Sequence, residues 1–197
     1  RFFPELVFFD VGQGDAILIT TPERKKILVD GGAGFTISQR LNSYFPLNNC
    51  KLDAVFLTHP HADHLEGLTR VLRNCRVDKV FYTFSLYESY MYSDWVEEIS
   101  HMKSSSFVSG DIYIPDKSRR VKLYGVWPPK EYIGKSISNI NNVSTVMFLD
   151  VGNFEVLLTG DAERDVMTEL TSEFISGNFH FLDEPLEVYK LPHHGAK

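Results

Sequence analysis

Short runs of β-branched and aromatic residues alternate with glycine-containing turns along the first third of the chain. The turns Gly12-Gln13-Gly14-Asp15 and Gly31-Gly32 separate these runs, and this pattern predicts a meander of strands. A compact apolar run follows and is typical of a buried strand. The predicted strands of this part cover residues 5–10, 16–20, 26–30 and 53–58.

Apolar residues at helical spacing predict three helices, over residues 35–45, 63–74 and 161–174. The segment 84–107 is rich in aromatic residues and is predicted to be partly helical. Two successive halves of strands and helices favour an α/β fold in which two mixed sheets pack face to face with helices outside, in one domain spanning residues 1–197. The later predicted strands cover residues 79–82, 112–114, 121–126, 145–151, 155–159 and 187–191.

Composition narrows the class of protein. The 197 residues are enough for one substantial core, and no apolar run is long enough to span a bilayer. The net charge of −6 gives no general attraction to nucleic acid. Cys50 and Cys75 lack the spacing of a metal or redox motif, so we expect two buried or half-buried thiols. The chain begins at Arg1 without a signal-peptide pattern, so we expect a processed product or a piece of a larger protein.

The densest chemical signal is the stretch Thr58 to His64, which follows the buried run 53–58 and precedes a predicted helix. His59 and His61 are two positions apart and project to the same side, while Asp63 and His64 follow at the helix start. Imidazole and carboxylate ligands without thiolate suit zinc, with manganese or iron as alternatives. A solvated histidine cluster is the competing interpretation, but it does not fit a stretch that follows a buried strand.

Two later motifs also end predicted strands. Asp161 ends Leu158-Thr159-Gly160-Asp161, and His193 and His194 belong to Pro192-His193-His194-Gly195. Each is weak evidence alone, because Asp161 could cap the following helix and a histidine pair is more often a surface feature. Together with the first cluster they share one geometry, since all three groups lie at the carboxyl ends of predicted strands.

These motifs resemble those of the metallo-β-lactamase fold hydrolases, whose fold is a four-layer αβ/βα sandwich. Within that superfamily, Val11-Gly12-Gln13-Gly14-Asp15 and the HHG ending look most like the hydrolase domain of ComEC-type DNA-uptake proteins. The phosphorylcholine esterase catalytic domain is also similar. Such domains continue through further strands, so the resemblance implies a sandwich truncated after Lys197.

The resemblance also implies a centre with two divalent metal ions, most simply zinc. One ion would be held by His59 and His61 and the second by Asp63, His64 and His194, with Asp161 bridging both. Asp63 and His193 would be the catalytic residues, His193 facing the substrate as a donor or proton relay. Asp30 would orient a ligand, and Asp15 would support its turn.

This chain departs from many members of the superfamily in one ligand. Many members carry a further ligand histidine between the segments that correspond to 58–64 and 158–161. Here only His101 lies between these segments, and it is outside any matching motif. The corresponding segment is 141–145, so the first metal would keep three protein ligands and an open position for water.

Three functions remain open. The first is a phosphodiesterase or nuclease that cuts DNA or RNA with a metal-held hydroxide. The second is hydrolysis of a β-lactam, lactone or other small ester. The third is a non-catalytic binding domain, and the intact motifs argue against it. A channel lined by basic side chains would favour nucleic acid, whereas an apolar pocket roofed by Tyr87, Tyr90 and Trp95 would favour a small substrate. The candidate basic side chains are those of residues 117–122 and of Arg70, Arg73 and Arg76. Membrane insertion of this domain is not expected, and the compartment and oligomeric state stay undetermined.

Overall fold

The computed structural model describes residues 3–45, 49–179 and 185–195. The expected truncation after Lys197 falls outside these ranges. Within them, no helix combines the length and the apolar character needed to cross a membrane. The helices are α1 (Thr36–Leu41), α2 (Ala62–Asn74), α3 (Tyr90–Ile99) and α4 (Arg164–Ile175).

The main strands form two mixed sheets. The first sheet has the order β1-β2-β3-β5-β7-β8, in which β1 to β3 form an antiparallel meander and β3, β5, β7 and β8 run parallel. Its strands are β1 (Glu5–Phe8), β2 (Ile17–Thr20), β3 (Lys26–Val29), β5 (Ala54–Leu57), β7 (Val80–Tyr82) and β8 (Ser104–Ser106). A separate short pair joins β4 (Lys51–Leu52) to β6 (Arg76–Val77).

The second sheet has the order β13-β12-β11-β10-β9 and is antiparallel except for the parallel pair β12 and β13. Its strands are β9 (Ile112–Tyr113), β10 (Lys122–Trp127), β11 (Val146–Asp150), β12 (Glu155–Leu158) and β13 (Val188–Tyr189). Because β12 and β13 are parallel, the residues that follow them meet at one edge.

Strict alternation along the strands divides the core into layers. Ile17 and Ile19 of β2 face the second sheet, where they pack with residues such as Met147, whereas Leu18 faces the opposite way, toward α1 and α2. On the far side of the second sheet, Phe148 belongs to the cluster that covers α4. The predicted four-layer αβ/βα sandwich is therefore confirmed.

Two facing glycines set the position of α2 against the first sheet. A Cβ atom on Gly67 would lie 2.0 Å from the carbonyl oxygen of Gly31, and one on Gly31 would lie 2.3 Å from the amide nitrogen of Leu68. The backbones are joined there by hydrogen bonds from Gly31 to His64 and from Gly67 to Gly32. This close approach holds the first turn of α2, which carries Asp63 and His64, against the end of β3.

One sequence-based prediction was wrong and one was incomplete. Cys50 and Cys75 are not thiols but a disulfide, because the pairing of β4 with β6 brings residues 25 positions apart to a Cα separation of 4.7 Å. The segment 84–107 also ends in a strand, β8, whose serines have no apolar pattern and join the sheet only through their backbone.

Candidate metal centre

The loop after β5 carries the first group of candidate ligands. His61 is the N-cap of α2, and Asp63 lies in the first turn, where the positive end of the helix dipole favours a carboxylate. His59 is buried, and its Nε2 lies 3.1 Å from Nδ1 of His61. Two ring nitrogens that approach so closely are placed to share one metal ion.

Asp30, directly after β3, organises this loop from beneath. Its carboxylate accepts hydrogen bonds from the Thr58 amide at 2.8 Å and the Thr58 hydroxyl at 2.7 Å, and it lies 2.8 Å from Nδ1 of His64. Thr58 Oγ1 is also 3.1 Å from Nδ1 of His59. With both Nδ1 atoms engaged in this way, the Nε2 atoms of the two histidines are directed into the centre.

The second sheet contributes Asp161 and His194 to the same point. Asp161 follows β12, and its Oδ2 lies 3.3 Å from Nε2 of His64 and 3.3 Å from Nε2 of His194. His194 Nε2 lies 3.9 Å from Oδ2 of Asp63. The structure thus brings His59, His64 and Asp161 into one group, and Asp63, His64 and His194 into a second.

Asp161 is not the helix cap that the sequence allowed. Glu163 occupies the N-cap position of α4, and the Asp161 amide donates instead to the Ser144 hydroxyl at 3.1 Å. Ser144 and Thr145, from the segment 141–145, therefore support the centre from the side. Thr145 donates to the Thr58 carbonyl at 2.9 Å, which joins the two loops.

The candidate ligands differ in the direction in which the fold shifts their pKa values. Burial lowers the pKa of His59 well below its usual value, with a further contribution from His64, and burial also lowers the pKa of His61. Burial alone would lower the pKa of His64 as well, but the Asp30 and Asp161 carboxylates raise it to about 10. The pKa of Asp161 is lowered because the interaction with His64 outweighs the opposing effect of burial.

This donor set fits divalent metal ions. His64 is fully buried, yet within the described part of the chain its Nε2 makes no hydrogen bond, and neither does Oδ1 of Asp161. A buried polar atom without a partner is costly unless another group satisfies it. Four imidazoles and two carboxylates are ligands of the kind that zinc, manganese and iron accept.

Three residues that the sequence analysis did not assign to the centre contact it. Gln13 Nε2 donates to Oδ2 of Asp63 at 3.1 Å. Lys190, which is nearly buried, contacts Asp15, donates to the Gly160 carbonyl at 2.7 Å and lies 3.7 Å from Oδ1 of Asp161. Asp15 lies 3.3 Å from Nδ1 of His194, a contact beyond the turn-supporting role expected for it. A lysine four positions before a ligand has no spacing signal, so only the fold reveals this group.

His193 occupies a different position from His194. Both residues have left-handed backbone conformations, with φ of 46° and 53°, which turn consecutive side chains in different directions. His193 is half exposed, and its Nδ1 lies 3.8 Å from Oε1 of Glu163. It lines an open groove of about 550 Å³ together with Glu163, Arg164, Met167, Tyr189 and Leu191.

The basic side chains that the sequence suggested for a nucleic-acid channel do not line the centre. Arg70 pairs with Glu66 and stacks on Phe35, and Arg73 pairs with Asp94 and Glu98. The amides of Lys117 and Ser118 donate to Glu23, beside the turn that precedes β3, whereas Asp30 follows β3 at its other end. Arg119, Arg120 and Lys122 line a surface groove with Pro22 at that same far end, and Arg76 lies 3.6 Å from Asp78.

The aromatic roof is only partly present. Tyr87 is half buried, with its ring centroid 6.0 Å from that of His61. Trp95 is fully buried in the core beneath α3, and Tyr90 is exposed. Tyr87 is thus the one member of the expected roof, among the described residues, that contacts a candidate ligand.

Comparison with known proteins places these features in a family. Residues 9–119 match the model of the metallo-beta-lactamase superfamily. The chain is 22% identical to ComE operon protein 3 of Bacillus subtilis over 98% of this chain and 26% of that protein. It is 24% identical to the uncharacterized protein YcaI of Escherichia coli over 98% of this chain and 22% of that protein. The chain therefore spans about a quarter of the length of the curated relatives that it matches.

A solved structure shares the fold. CmlA, a diiron beta-hydroxylase from Streptomyces venezuelae, superposes with a TM-score of 0.54 at 15% identity, covering 94% of this chain and 34% of that one. At this identity the likeness concerns the fold alone. It also shows that this fold can hold chemistry other than hydrolysis.

Proposed function

The chain belongs to the metallo-beta-lactamase superfamily, and we propose that it is a two-metal hydrolase of phosphodiester bonds, with DNA or RNA as its substrate. The observation that carries this proposal is the position of Asp161. One carboxylate oxygen of Asp161 faces the Nε2 atoms of His64 and His194 at 3.3 Å each, and Asp161 also groups with His59, so it lies beside proposed ligands of both ions. Most members of this superfamily are metal-dependent hydrolases, so the centre is interpreted as hydrolytic.

The proposed ligand assignment takes Asp63, His64 and His194 from the second group and pairs His59 with His61, whose ring nitrogens lie 3.1 Å apart. His59 and His61 hold one ion, Asp63, His64 and His194 hold the second, and Asp161 belongs to both. When bound, two divalent ions such as zinc lower the pKa of a water molecule and stabilise the negative oxygens of a phosphodiester during its cleavage. Asp63 would orient the attacking water through its carboxylate.

His193 is the proposed general acid. Its imidazole lines the groove beside the centre, and Glu163 lies near Nδ1, so Nε2 is the atom proposed to give a proton to the leaving oxygen. Glu163 is itself held by the side-chain amides of Asn139 and Asn141, at 2.8 Å and 2.9 Å. General-acid assistance of this kind contributes about 100-fold or more to a rate.

The groove beside the centre supports a phosphodiester substrate. Arg164, the first residue of α4, lines this groove. Its guanidinium would offer a cation to the phosphate next to the one that is cleaved. The ComEC-type resemblance of the motifs around Gln13 and His194 points the same way.

A second candidate is hydrolysis of a small ester, lactone or β-lactam, and the placement of Tyr87 favours it. This ring lies beside His61, where it could cover an apolar substrate. In the described residues, the basic side chains expected to form a nucleic-acid channel lie elsewhere, in ion pairs or at the far end of the sandwich.

A substrate panel tests both candidates. The purified protein, loaded with zinc or manganese, is assayed on single-stranded DNA, RNA, bis-p-nitrophenyl phosphate and nitrocefin. Phosphodiester cleavage with no nitrocefin turnover supports the first candidate, and the reverse result supports the second. Asp161→Ala should abolish either activity, and Asp165→Ala, an exposed carboxylate on the first turn of α4, is the matched control that should retain it. Full activity of Asp161→Ala would overturn the two-metal mechanism.

A further inference from the structure

We propose that the turn Gly12-Gln13-Gly14-Asp15 is a positioning element of the second metal site, and that Lys190 fixes its Asp15 in place. The proposal rests on the metal assignment given above, in which neither Asp15 nor Lys190 is a ligand. Beyond forming a turn, this segment would orient His194 and Asp63, which follow strands of two different sheets.

Asp15 divides its two oxygens between two partners. Oδ1 lies 3.3 Å from Nδ1 of His194, and Oδ2 contacts the ammonium of Lys190. A carboxylate on Nδ1 keeps the proton there and leaves Nε2 as the metal-binding atom. Asp15 thus does for His194 what Asp30 does for His64.

Lys190 joins the two sheets at the centre. Asp15 lies between β1 and β2 of the first sheet, whereas Lys190 directly follows β13 of the second. The ammonium also donates to the Gly160 carbonyl at 2.7 Å and lies 3.7 Å from Oδ1 of Asp161, whose other oxygen faces His64 and His194. It therefore anchors Asp15 and Asp161 together.

The rest of the turn acts on Asp63. Gln13 Nε2 donates to Oδ2 of Asp63 at 3.1 Å. Gly14, at φ +92°, lies so close that a Cβ atom would be 1.6 Å from the Asp63 carbonyl oxygen. Only glycine permits that approach, which places Gln13 beside Asp63 and Asp15 beside His194.

Asp15 also lies near enough to Asp161 and His194 to be a ligand itself. The contact with Lys190 argues against that role, because an ammonium on the carboxylate occupies one oxygen and repels a metal ion. The positioning role requires that Asp15 act through His194, and this is what the experiment measures.

The experiment follows metal binding without substrate. Zinc affinities of the two sites are measured by competition with a chromophoric chelator, and cobalt(II) absorption spectra report the coordination of each. The variants are Asp15→Ala, Asp15→Asn, His194→Ala and the double variant Asp15→Ala with His194→Ala. The matched control is Asp53→Ala, whose carboxylate pairs with Lys25 at 2.8 Å before β5, at the opposite end of that strand from His59.

Asp15→Ala should weaken one of two binding steps by about 10- to 100-fold, the same step that His194→Ala weakens. Adding Asp15→Ala to His194→Ala should cost no more than about twofold further, since a positioning residue has nothing left to position. Asp15→Asn, which keeps the shape, should retain an intermediate affinity, and Asp53→Ala should bind as the wild type does.

Lys190→Met should weaken the same step, with partial recovery in Lys190→Arg. Unchanged affinity in Asp15→Ala and Asp15→Asn would overturn the proposal, as would independent losses in the double variant, which would make Asp15 a ligand. Circular dichroism of each variant checks that it is folded. Wild-type protein that binds two ions but cleaves no phosphodiester would refute the proposed function and leave this inference standing.

Discussion

Replacement of Asp30 is the perturbation from which the structure predicts the largest loss of stability near the metal centre. The side chain is 1% exposed and accepts from the Thr58 amide and hydroxyl, at 2.8 Å and 2.7 Å, with Nδ1 of His64 also at 2.8 Å. Asp30→Ala removes the acceptor from all three donors while they stay buried. Each buried donor left unpaired costs about 1 to 3 kcal/mol.

Backbone conformation adds to this cost. Asp30 has φ of 57°, a left-handed conformation that aspartate and asparagine tolerate better than alanine, by roughly 1 kcal/mol. Three unpaired donors and this strain sum to about 4 to 10 kcal/mol, and partial relaxation of the buried groups places the expected loss toward the lower end. Asp30→Asn keeps one acceptor and the backbone preference, so its loss should be about half as large.

Urea denaturation of chelator-treated protein measures this loss directly. The buried indole of Trp95 reports unfolding by fluorescence, and the slope of the transition should not change between variants. Asp53→Ala is the control, since its carboxylate is more exposed and accepts from Lys25 and Lys26; it should cost about 1 kcal/mol. A loss for Asp30→Ala within about 1 kcal/mol of wild type, or no greater than that of Asp53→Ala, would refute the reasoning.

Three further predictions test other features. Gly14→Ala should lower the melting temperature far more than Gly12→Ala, because a Cβ on Gly14 meets the Asp63 carbonyl at 1.6 Å whereas one on Gly12 meets nothing within 4 Å; equal shifts in thermal denaturation would contradict this. Cys50 and Cys75 should not react with a thiol reagent in the unreduced protein, and replacing both with serine should cost about 2 to 4 kcal/mol in urea denaturation; a reactive thiol before reduction would show that the bond is absent. Removal of metal with a chelator should abolish hydrolysis and lower the melting temperature in differential scanning fluorimetry, and zinc should restore both; activity that survives exhaustive chelation would exclude a metal-dependent reaction.

The layers of the fold could be read from the sequence because they depend on local alternation. Ile17 and Ile19 face one way and Leu18 the other, and this pattern is written in three consecutive positions. The grouping of Asp161 with His194 followed from the general rule that the carboxyl ends of parallel strands meet at one edge, since β12 and β13 are parallel neighbours. Strand ends were predicted to within a few residues.

Contacts between distant segments could not be read in this way. The Cys50–Cys75 bond depends on two short strands, β4 and β6, that carry too few residues to show a pattern. The contact of Asp15 with Lys190 depends on how the first sheet packs against the second, which no local spacing encodes. The serine strand β8 joins the first sheet through backbone pairing, so its side chains give no sequence pattern that predicts a strand.

The division of the centre between two sheets has a consequence for how the protein is made. A growing chain presents His59, His61, Asp63 and His64 together, while Asp161 and then His194 follow much later. On the proposed ligand assignment, an ion that meets the nascent chain early would find only part of its ligands and would leave readily. Firm retention of metal would thus be a late event that follows completion of the second sheet, and the metal supplied by the cell at that moment would decide which ion the finished molecule keeps.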